Sequence, residues 1–222
     1  MHYDTSVNDH GMKFDPFKAL VIPRPIGWVS TVGRDGVANL APYSFFNGVS
    51  DRPPMVMFAS AGTKDTLRNV LETGEFTCSL STFDLRDGMN LSSAPVAPGV
   101  SEFDVAGLAS APSKFVKPPR VALSPAAFEC KLWKTVELPG DPKRPDFFYT
   151  VVFGTVVGIY IDEAFIRDGR VDVGAMKPLS RLGYMDYGVV TPETIFELNR
   201  PTVAADGKTA QVDSKPWDGV YR

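Results

Sequence analysis

Residues 147–161 read FFYTVVFGTVVGIYI and form the longest uncharged apolar stretch of the chain. The stretch is shorter than the roughly 18 residues that a membrane-spanning helix needs. It is rich in β-branched and aromatic residues, which is typical of a buried strand. Gly154 and Gly158 interrupt the run. Because glycines inside a strand often mark bulges that bend a barrel wall, this stretch predicts one strand of a closed β-barrel.

The same residue types recur in short bursts along the chain. They predict a mostly β fold with strands at residues 19–22, 27–32, 37–43, 55–60, 76–81, 128–137 and 149–161. Residues 33–36, GRDG, lie between two of these bursts and suit a hairpin turn, so the strands on either side are expected to be antiparallel. No repeat or linker divides the chain, and one domain over residues 1–222 is therefore predicted.

Two helices and one long excursion are predicted between the strands. Apolar residues spaced i, i+3 and i+4 predict a helix over residues 65–73, with Asp65 as its N-cap and Gly74 at its end. A second helix is expected over residues 85–91. Residues 92–119 are dense in Ala, Pro, Ser and Gly, which predicts an excursion over the barrel rather than part of its core.

The charge balance and the cysteine content indicate what the chain binds and where it acts. The 23 Lys and Arg against 26 Asp and Glu give a formal net charge of −3, so the basic excess of a nucleic-acid binder is missing and no nucleic-acid partner is expected. The N-terminal residues lack the basic and apolar regions of a secretory signal. Cys78 and Cys130 lie in separate apolar stretches, which favours free thiols. We therefore expect a cytoplasmic protein with no membrane contact.

Several familiar chemistries lack the residues they need. The histidines are His2 and His10, both in the polar N-terminal segment, so no His-assisted nucleophile and no metal site is predicted. The strings typical of α/β-hydrolases, zinc proteases, Rossmann folds and P-loops are missing from the sequence. The chain is therefore not expected to be a hydrolase or a protein with one of these nucleotide-binding fingerprints.

Residues 60–66, SAGTKDT, join the end of a predicted strand to the start of the first helix. The hydroxyls of Ser60 and Thr66, the ammonium of Lys64 and the free N–H groups of the helix N-terminus would surround one point, which suits a phosphate. The same residues also fit a simpler interpretation, in which Asp65 and Thr66 cap the helix and Lys64 is solvated. The spacing by itself leaves both interpretations open.

A second polar segment, residues 39–54, reads NLAPYSFFNGVSDRPP. Small and polar residues in an extended segment expose backbone donors and acceptors, which suit the edge of a flat heteroaromatic ring. The alternative is an irregular barrel loop whose aromatic side chains fill the core.

Four motifs follow one another along the chain: PRPIGWVST at 23–31, NLAPYSFFNGVSDRPPMVMFAS at 39–60, TKDTLRNVLETGEF at 63–76 and PPRVALSPAAFECKL at 118–132. Together they closely resemble the flavin reductase-like family with the FMN-binding split-barrel fold. The match covers about residues 17–161 and continues weakly in RLGYMDY at 181–187, where Tyr184 stands at the family's second glycine. The resemblance implies a six-stranded antiparallel split barrel with a few peripheral helices. It also implies a homodimer that holds FMN near the subunit interface.

The resemblance also assigns cofactor-binding residues. It implies that the FMN phosphate lies near Ser60, Lys64 and Thr66. It implies that the isoalloxazine ring of FMN lies near Ser30, Thr31, Tyr43, Ser44, Asn47 and Gly48. Our hypothesis is that Ser44 and Asn47 stabilise the reduced flavin at the ring edge. Arg24, held between two prolines, either faces the flavin or an anionic substrate, or is a solvent-exposed or structurally paired arginine.

Hydride transfer between a nicotinamide and a flavin needs no side-chain nucleophile or acid, because the cofactor carries the chemistry. No catalytic side chain is therefore assigned. The resemblance implies an FMN-binding oxidoreductase that moves hydride from NADH or NADPH to FMN and on to a flavin acceptor or oxygen. A small-molecule substrate or a partner monooxygenase would fit this activity. The alternative is a non-enzymatic FMN carrier or sensor on the same barrel.

Overall fold

The computed structural model describes residues 1–144 and 147–219. Strands hold 37% of the residues and helices 17%, which confirms the mostly β prediction. The α-helices are α1 (Phe17–Leu20), α2 (Asp65–Thr73), α3 (Arg86–Leu91), α4 (Glu102–Val105) and α5 (Val173–Met176). Short 3-10 helices cover Phe83–Leu85, Glu163–Phe165 and Pro192–Thr194. Within the two described ranges, no helix is both long enough and apolar enough to cross a membrane.

The main sheet has seven strands, and each neighbouring pair is antiparallel. In chain order they are β1 (Gly27–Val32), β2 (Ala38–Tyr43), β3 (Phe46–Asp51), β4 (Pro54–Ala61), β5 (Glu75–Leu80), β6 (Ala126–Glu137) and β7 (Tyr149–Ile161). Across the sheet the order is β2–β1–β5–β6–β7–β4–β3. The shorter strands form separate small sheets: Arg24–Pro25 with Leu179–Arg181 and Tyr187–Val189, Ser110–Ala111 with Arg120–Val121, Ile166–Arg167 with Arg170–Val171, and Thr202–Val203 with Ala210–Gln211.

Two sequence predictions about the strands are wrong. Residues 19–22 do not form a strand, because helix α1 occupies residues 19 and 20 and the Val21 carbonyl accepts a hydrogen bond from the Arg24 side chain. The prediction of six sheet strands omits β3, whose sequence FNGVSD has low β-propensity. β3 exists because it pairs with β4, from Phe46 opposite Phe58 to Asp51 opposite Pro54.

The predicted closure of the barrel is also corrected, because the sheet is open between its edge strands β2 and β3. These two strands are consecutive in the chain and only Ser44 and Phe45 separate them. Three Cα steps of about 3.8 Å keep Tyr43 and Phe46 within roughly 11 Å of each other, so the sheet curls back on itself. A register shift between Gly48 and Ser50 bends β3, which turns this edge away from pairing.

The glycines of the longest strand and the hairpin behave as predicted. β7 has register shifts against β6 at Phe153/Gly154 and at Val156/Gly158, which confirms the two bulges. β1 and β2 pair antiparallel from Gly27 opposite Tyr43 to Val32 opposite Ala38. The local signals of the longest strand and of this hairpin were therefore sufficient to place both features.

Two apolar clusters hold the fold together. The first fills the inside of the curled sheet and includes Phe58 and Phe76, both 0% exposed. The second lies on the other face of β1 and β2, around Trp28, and includes Phe103 of the excursion. The excursion was predicted to lie outside the core. Instead it covers the second cluster, so that β1 is buried on both faces.

Helix α2 has the predicted bounds, Asp65–Thr73, and ends at Gly74, which has the left-handed φ of 74° that favours glycine. The predicted N-cap is wrong by one residue. Lys64 has the extended N-cap conformation and Asp65 is the first helical residue. Asp65 instead pairs with Arg68 at 2.7 Å, one turn along the helix. The consequence is that no side chain caps the start of α2.

Candidate functional site

A cleft of about 470 Å³ lies where the chain passes from β2 into β3. Its walls come from that turn, from the β4–α2 junction, and from the excursion. Its lining side chains include Lys18, Asn39, Tyr43, Ser44, Phe45, Lys64, Asp65, Thr66, Glu102 and Tyr149, together with residues 92–96. The cleft thus brings together the two polar segments of the sequence, residues 39–54 and 60–66.

The α2 end of the cleft carries an exposed positive charge and an uncapped helix terminus. Lys64 is exposed, lines the cleft and forms no ion pair with residues 1–144 or 147–219. The first N–H groups of an α-helix lack intrahelical partners and carry partial positive charge. Because no side chain caps α2, these donors remain free for a ligand. This end of the cleft is suited to an anion.

Aromatic side chains form another part of the cleft wall. The rings of Phe45 and Tyr149 lie 5.8 Å apart in an edge arrangement, and Tyr43 packs on Phe58 at 4.7 Å. The Tyr43 hydroxyl is buried and has no hydrogen-bond partner among the described residues. Burial raises the pKa of Tyr43, opposed by the nearby hydroxyls of Thr66 and Ser60. Neither of these hydroxyls reaches hydrogen-bond geometry with it.

A buried polar network lies behind the α2 end. Asn39 is its centre: the Asn39 side chain donates to both carboxylate oxygens of Glu102, at 2.9 and 3.0 Å. Its carbonyl oxygen accepts from Thr66 at 2.7 Å and from Thr31 at 3.3 Å. Asn69 in turn donates to Thr31 at 3.0 Å. The network connects the excursion, β2, β1 and α2.

Glu102 is the charged member of this network. It is 6% exposed, and it also accepts from the Leu40 N–H at 2.9 Å. Burial raises the pKa of Glu102, the hydrogen bonds from Leu40 and Asn39 oppose the shift, and the charge of Asp65 adds to it. The carboxylate accepts three hydrogen bonds from two donor groups, which stabilises its charge without a cation.

The structure brings together some of the predicted site residues. Tyr43, Ser44, Lys64 and Thr66 line the cleft. Ser60 lies between two lining residues of β4, but it is fully buried and its hydroxyl donates to the Gly62 carbonyl at 3.3 Å.

The other predicted contacts lie outside the cleft. Ser30 and Thr31 are fully buried on β1, where Ser30 donates to the Pro119 carbonyl and Thr31 belongs to the polar network. Asn47 and Gly48 are exposed on β3, and the Asn47 side chain accepts from the Gly48 N–H at 2.9 Å.

Arg24 is buried and serves as a cross-link between segments. Its guanidinium donates to the carbonyls of Lys18, Val21 and Leu182 at 2.5, 2.6 and 2.7 Å. Burial lowers the pKa of Arg24, and the nearby Arg181 adds to the effect. Of the alternatives considered from the sequence, the structurally paired arginine matches these contacts, since Arg24 does not line the cleft.

Sequence reasoning missed several lining residues. Asn39 and Phe45 belong to a motif that was quoted, but no local pattern marks them as functional. Glu102 stands in the excursion, 63 residues from Asn39, and only the fold joins the two. Lys18 lies on α1, at the very start of the matched stretch. A signal was available for the excursion, because long ordered loops often carry substrate contacts.

In the described part of the chain, no group of three or more His, Cys, Asp or Glu side chains is placed to hold a metal ion. Both cysteines are free and buried. Burial raises the pKa of the Cys130 thiol well above its ordinary value, with Cys78 beside it. A buried thiol with a raised pKa is a poor nucleophile, which applies to Cys130, and neither cysteine lines the cleft.

Comparison with known proteins identifies the family. Residues 19–180 match the family model described as the flavin reductase like domain. An uncharacterized protein of Aquifex aeolicus (strain VF5) is 39% identical over 170 residues, which cover 74% of this chain and 83% of that protein.

Two solved structures share the architecture. Nitrilotriacetate monooxygenase component B from Bacillus cereus has a TM-score of 0.81 and 29% identity, covering 89% of this chain and 98% of that one. The 2-nitrobenzoate 2-nitroreductase NbaA from Pseudomonas fluorescens has a TM-score of 0.78 and 29% identity, covering 92% and 100%. With the family model matched across the open seven-stranded sheet and the cleft, this chain belongs to the flavin reductase like domain family.

Proposed function

We propose that the chain is an oxidoreductase that binds FMN in the cleft and uses NADH or NADPH as its electron donor. The observation that carries the proposal is the uncapped N-terminus of α2 with the unpaired Lys64 beside it, opening into a cleft with an aromatic wall. FMN, when bound, supplies the hydride-accepting ring, so the protein needs no catalytic side chain. Membership of the flavin reductase like domain family supports this assignment.

The residues of the cleft fit FMN in size and in chemistry. Its volume of about 470 Å³ lies within the roughly 300–1,000 Å³ of small-molecule sites. The free N–H groups of α2 and the Lys64 ammonium would hold the phosphate. Phe45 and Tyr149 would cover a flat ring and exclude water from it. On this assignment the two ends of the ligand would lie against two different walls.

The other residues that the sequence predicts at the site have supporting roles in this proposal. Ser44 lines the cleft and would offer its hydroxyl to the ring edge. Ser30 and Thr31 would support the wall from behind, because their hydroxyls are already paired. Asn47 and Gly48 would reach a ligand only where it extends past the cleft onto β3.

The names of the two structural relatives suggest where the electrons go. One is a component of a monooxygenase and the other a nitroreductase. We propose that this chain acts as a homodimer in the cytoplasm, and that it passes electrons to a partner monooxygenase, to a flavin acceptor, to oxygen or to a small-molecule substrate. Retention of FMN during gel filtration would favour a small-molecule substrate, whereas loss of FMN would favour transfer to a partner.

A spectroscopic titration tests the proposal. The purified protein is mixed with FMN, and its visible spectrum is recorded under anaerobic conditions as NADH and then NADPH is added. We expect a perturbed flavin band that one of the nucleotides bleaches within seconds. A perturbed band that neither nucleotide bleaches would contradict the reductase activity and favour an FMN carrier or sensor. An unperturbed band would contradict FMN binding itself.

A further inference from the structure

The Glu102 carboxylate fixes the orientation of the Asn39 amide. An ionised carboxylate has no proton to donate, so Asn39 must turn its NH2 group toward Glu102, as the two bonds of 2.9 and 3.0 Å show. The Asn39 oxygen then faces Thr66 and Thr31. Glu102 therefore sets the orientation of Asn39 and, through Asn39, the hydrogen bonds of Thr66 and Thr31, which Glu102 does not contact through its own hydrogen bonds.

The orientation of Asn39 in turn fixes the Thr66 hydroxyl. The Asn39 oxygen is only an acceptor, so Thr66 must donate its single proton to it across 2.7 Å. Once its proton is donated to Asn39, the Thr66 hydroxyl can present only the lone pairs of its oxygen to a ligand, and these repel an anion. Thr66 is the second residue of α2 and lines the cleft beside Lys64. Its hydroxyl therefore has no proton to give to a phosphate bound at this end of the cleft.

We propose that Glu102 is a positioning residue that weakens anion binding at the α2 end of the cleft. Glu102 orients the Asn39 amide, and the Asn39 oxygen then holds the Thr66 hydroxyl proton away from the ligand. The negative charge of Glu102 acts in the same direction, since it lines the same cleft. This inference rests on the proposed function and deepens it. In a protein that exchanges its flavin, a phosphate site with fewer hydrogen-bond donors would bind FMN less tightly and release it more easily.

Replacing Glu102 with glutamine should reverse the orientation. A glutamine that keeps its oxygen on the Leu40 N–H places its NH2 group where the other carboxylate oxygen of Glu102 now accepts from Asn39 at 2.9 Å. Two NH2 groups, which are both donors, would then face each other. Asn39 can then turn over, donate to Thr66 and free the Thr66 proton for the ligand. For Glu102→Gln we expect FMN to bind about tenfold more tightly. Riboflavin, which has no phosphate, should change by less than about threefold. Both dissociation constants are measured by fluorescence titration.

A double variant provides the matched control. In Asn39→Asp/Glu102→Gln the total charge equals that of the native chain. The carboxylate introduced at position 39 would accept from Thr66, Thr31 and the glutamine NH2 group, and the glutamine oxygen would accept from Leu40. The original direction of the Thr66 hydroxyl and one negative charge are both restored. The ratio of FMN to riboflavin affinity should therefore return to the native value within about threefold.

A second variant tests Thr66 without altering Glu102. Thr66→Val removes the hydroxyl in nearly the same volume. Because that proton is committed to Asn39, FMN affinity should not fall by more than about threefold. A tenfold loss would overturn the inference, since it would show that the Thr66 hydroxyl donates to the phosphate. Thermal unfolding of each variant establishes that it is folded.

The outcomes separate the inference from the proposed function. If the native protein binds neither FMN nor riboflavin, the proposed function fails. If the native protein binds FMN but Glu102→Gln leaves the ratio of FMN to riboflavin affinity unchanged, or weakens both ligands equally, Glu102 is only a structural residue and the inference fails. A higher ratio in Glu102→Gln that the double variant reverses supports the inference.

Discussion

Replacing Lys64 with glutamate is expected to raise the dissociation constant of FMN about a hundredfold, while that of riboflavin changes by less than about threefold. Lys64 is the N-cap residue of α2, and no side chain competes for the helix N–H donors behind it. The substitution removes an attraction for the phosphate and adds a repulsion at the same point. Fluorescence or absorbance titration with the two flavins measures the effect.

A matched substitution separates this local effect from a change of net charge. Lys208 is exposed and does not line the cleft, so Lys208→Glu changes the charge by the same amount elsewhere. Its FMN affinity should equal that of the native protein within about twofold. Equal losses in both variants, or equal losses of FMN and riboflavin in Lys64→Glu, would show that α2 does not hold the phosphate.

Replacing Gly154 with alanine is expected to lower the free energy of unfolding by about 3 kcal/mol. A Cβ atom at this position would lie 2.6 Å from Cε1 of Phe76 and 3.4 Å from Cβ of Cys130. Phe76 cannot move aside easily, because it is 0% exposed and packs against Phe58 at 5.5 Å. Urea denaturation measures the loss, which corresponds to a drop in Tm of roughly 6–12 °C.

Two further variants test this explanation. A Cβ at Gly48 would meet only the Met55 carbonyl oxygen, at 4.0 Å, so Gly48→Ala should change the free energy of unfolding by less than about 1 kcal/mol. Phe76→Leu provides space beside Gly154. The double variant Gly154→Ala/Phe76→Leu should therefore be more stable than the sum of the single effects predicts, by at least about 1 kcal/mol. Additive losses would show that the Phe76 ring is not what excludes a side chain.

The elements that could be predicted depend on neighbours in the sequence. Helix α2 has its apolar residues on one face and Gly74 at its end, and the β1–β2 hairpin has its turn between two strand patterns. In β7, glycines within a β-branched run indicated the bulges at Gly154 and Gly158. In each case the deciding forces act within a few residues, so the local pattern contains the information.

The elements that could not be predicted depend on partners distant in the chain. β3 is polar and mostly exposed, and β4 supplies the pairing that makes it a strand. The excursion reads as a loop, yet Phe103 completes the second apolar cluster beside Trp28. Arg24 has no nearby carboxylate to suggest a partner, and its three carbonyls come from two separate segments.

The candidate site likewise has a part that local sequence patterns predict and a part that depends on residues distant in the chain. The sequence by itself determined a mostly β fold, the helix α2 and the position of Lys64 beside the N-terminus of that helix, because these follow from local patterns of polarity. Only the tertiary structure decided that the sheet stays open and that Glu102 meets Asn39 behind Thr66. Hydrogen bonds depend on distance and direction, and residues 63 positions apart acquire both only when the chain has folded.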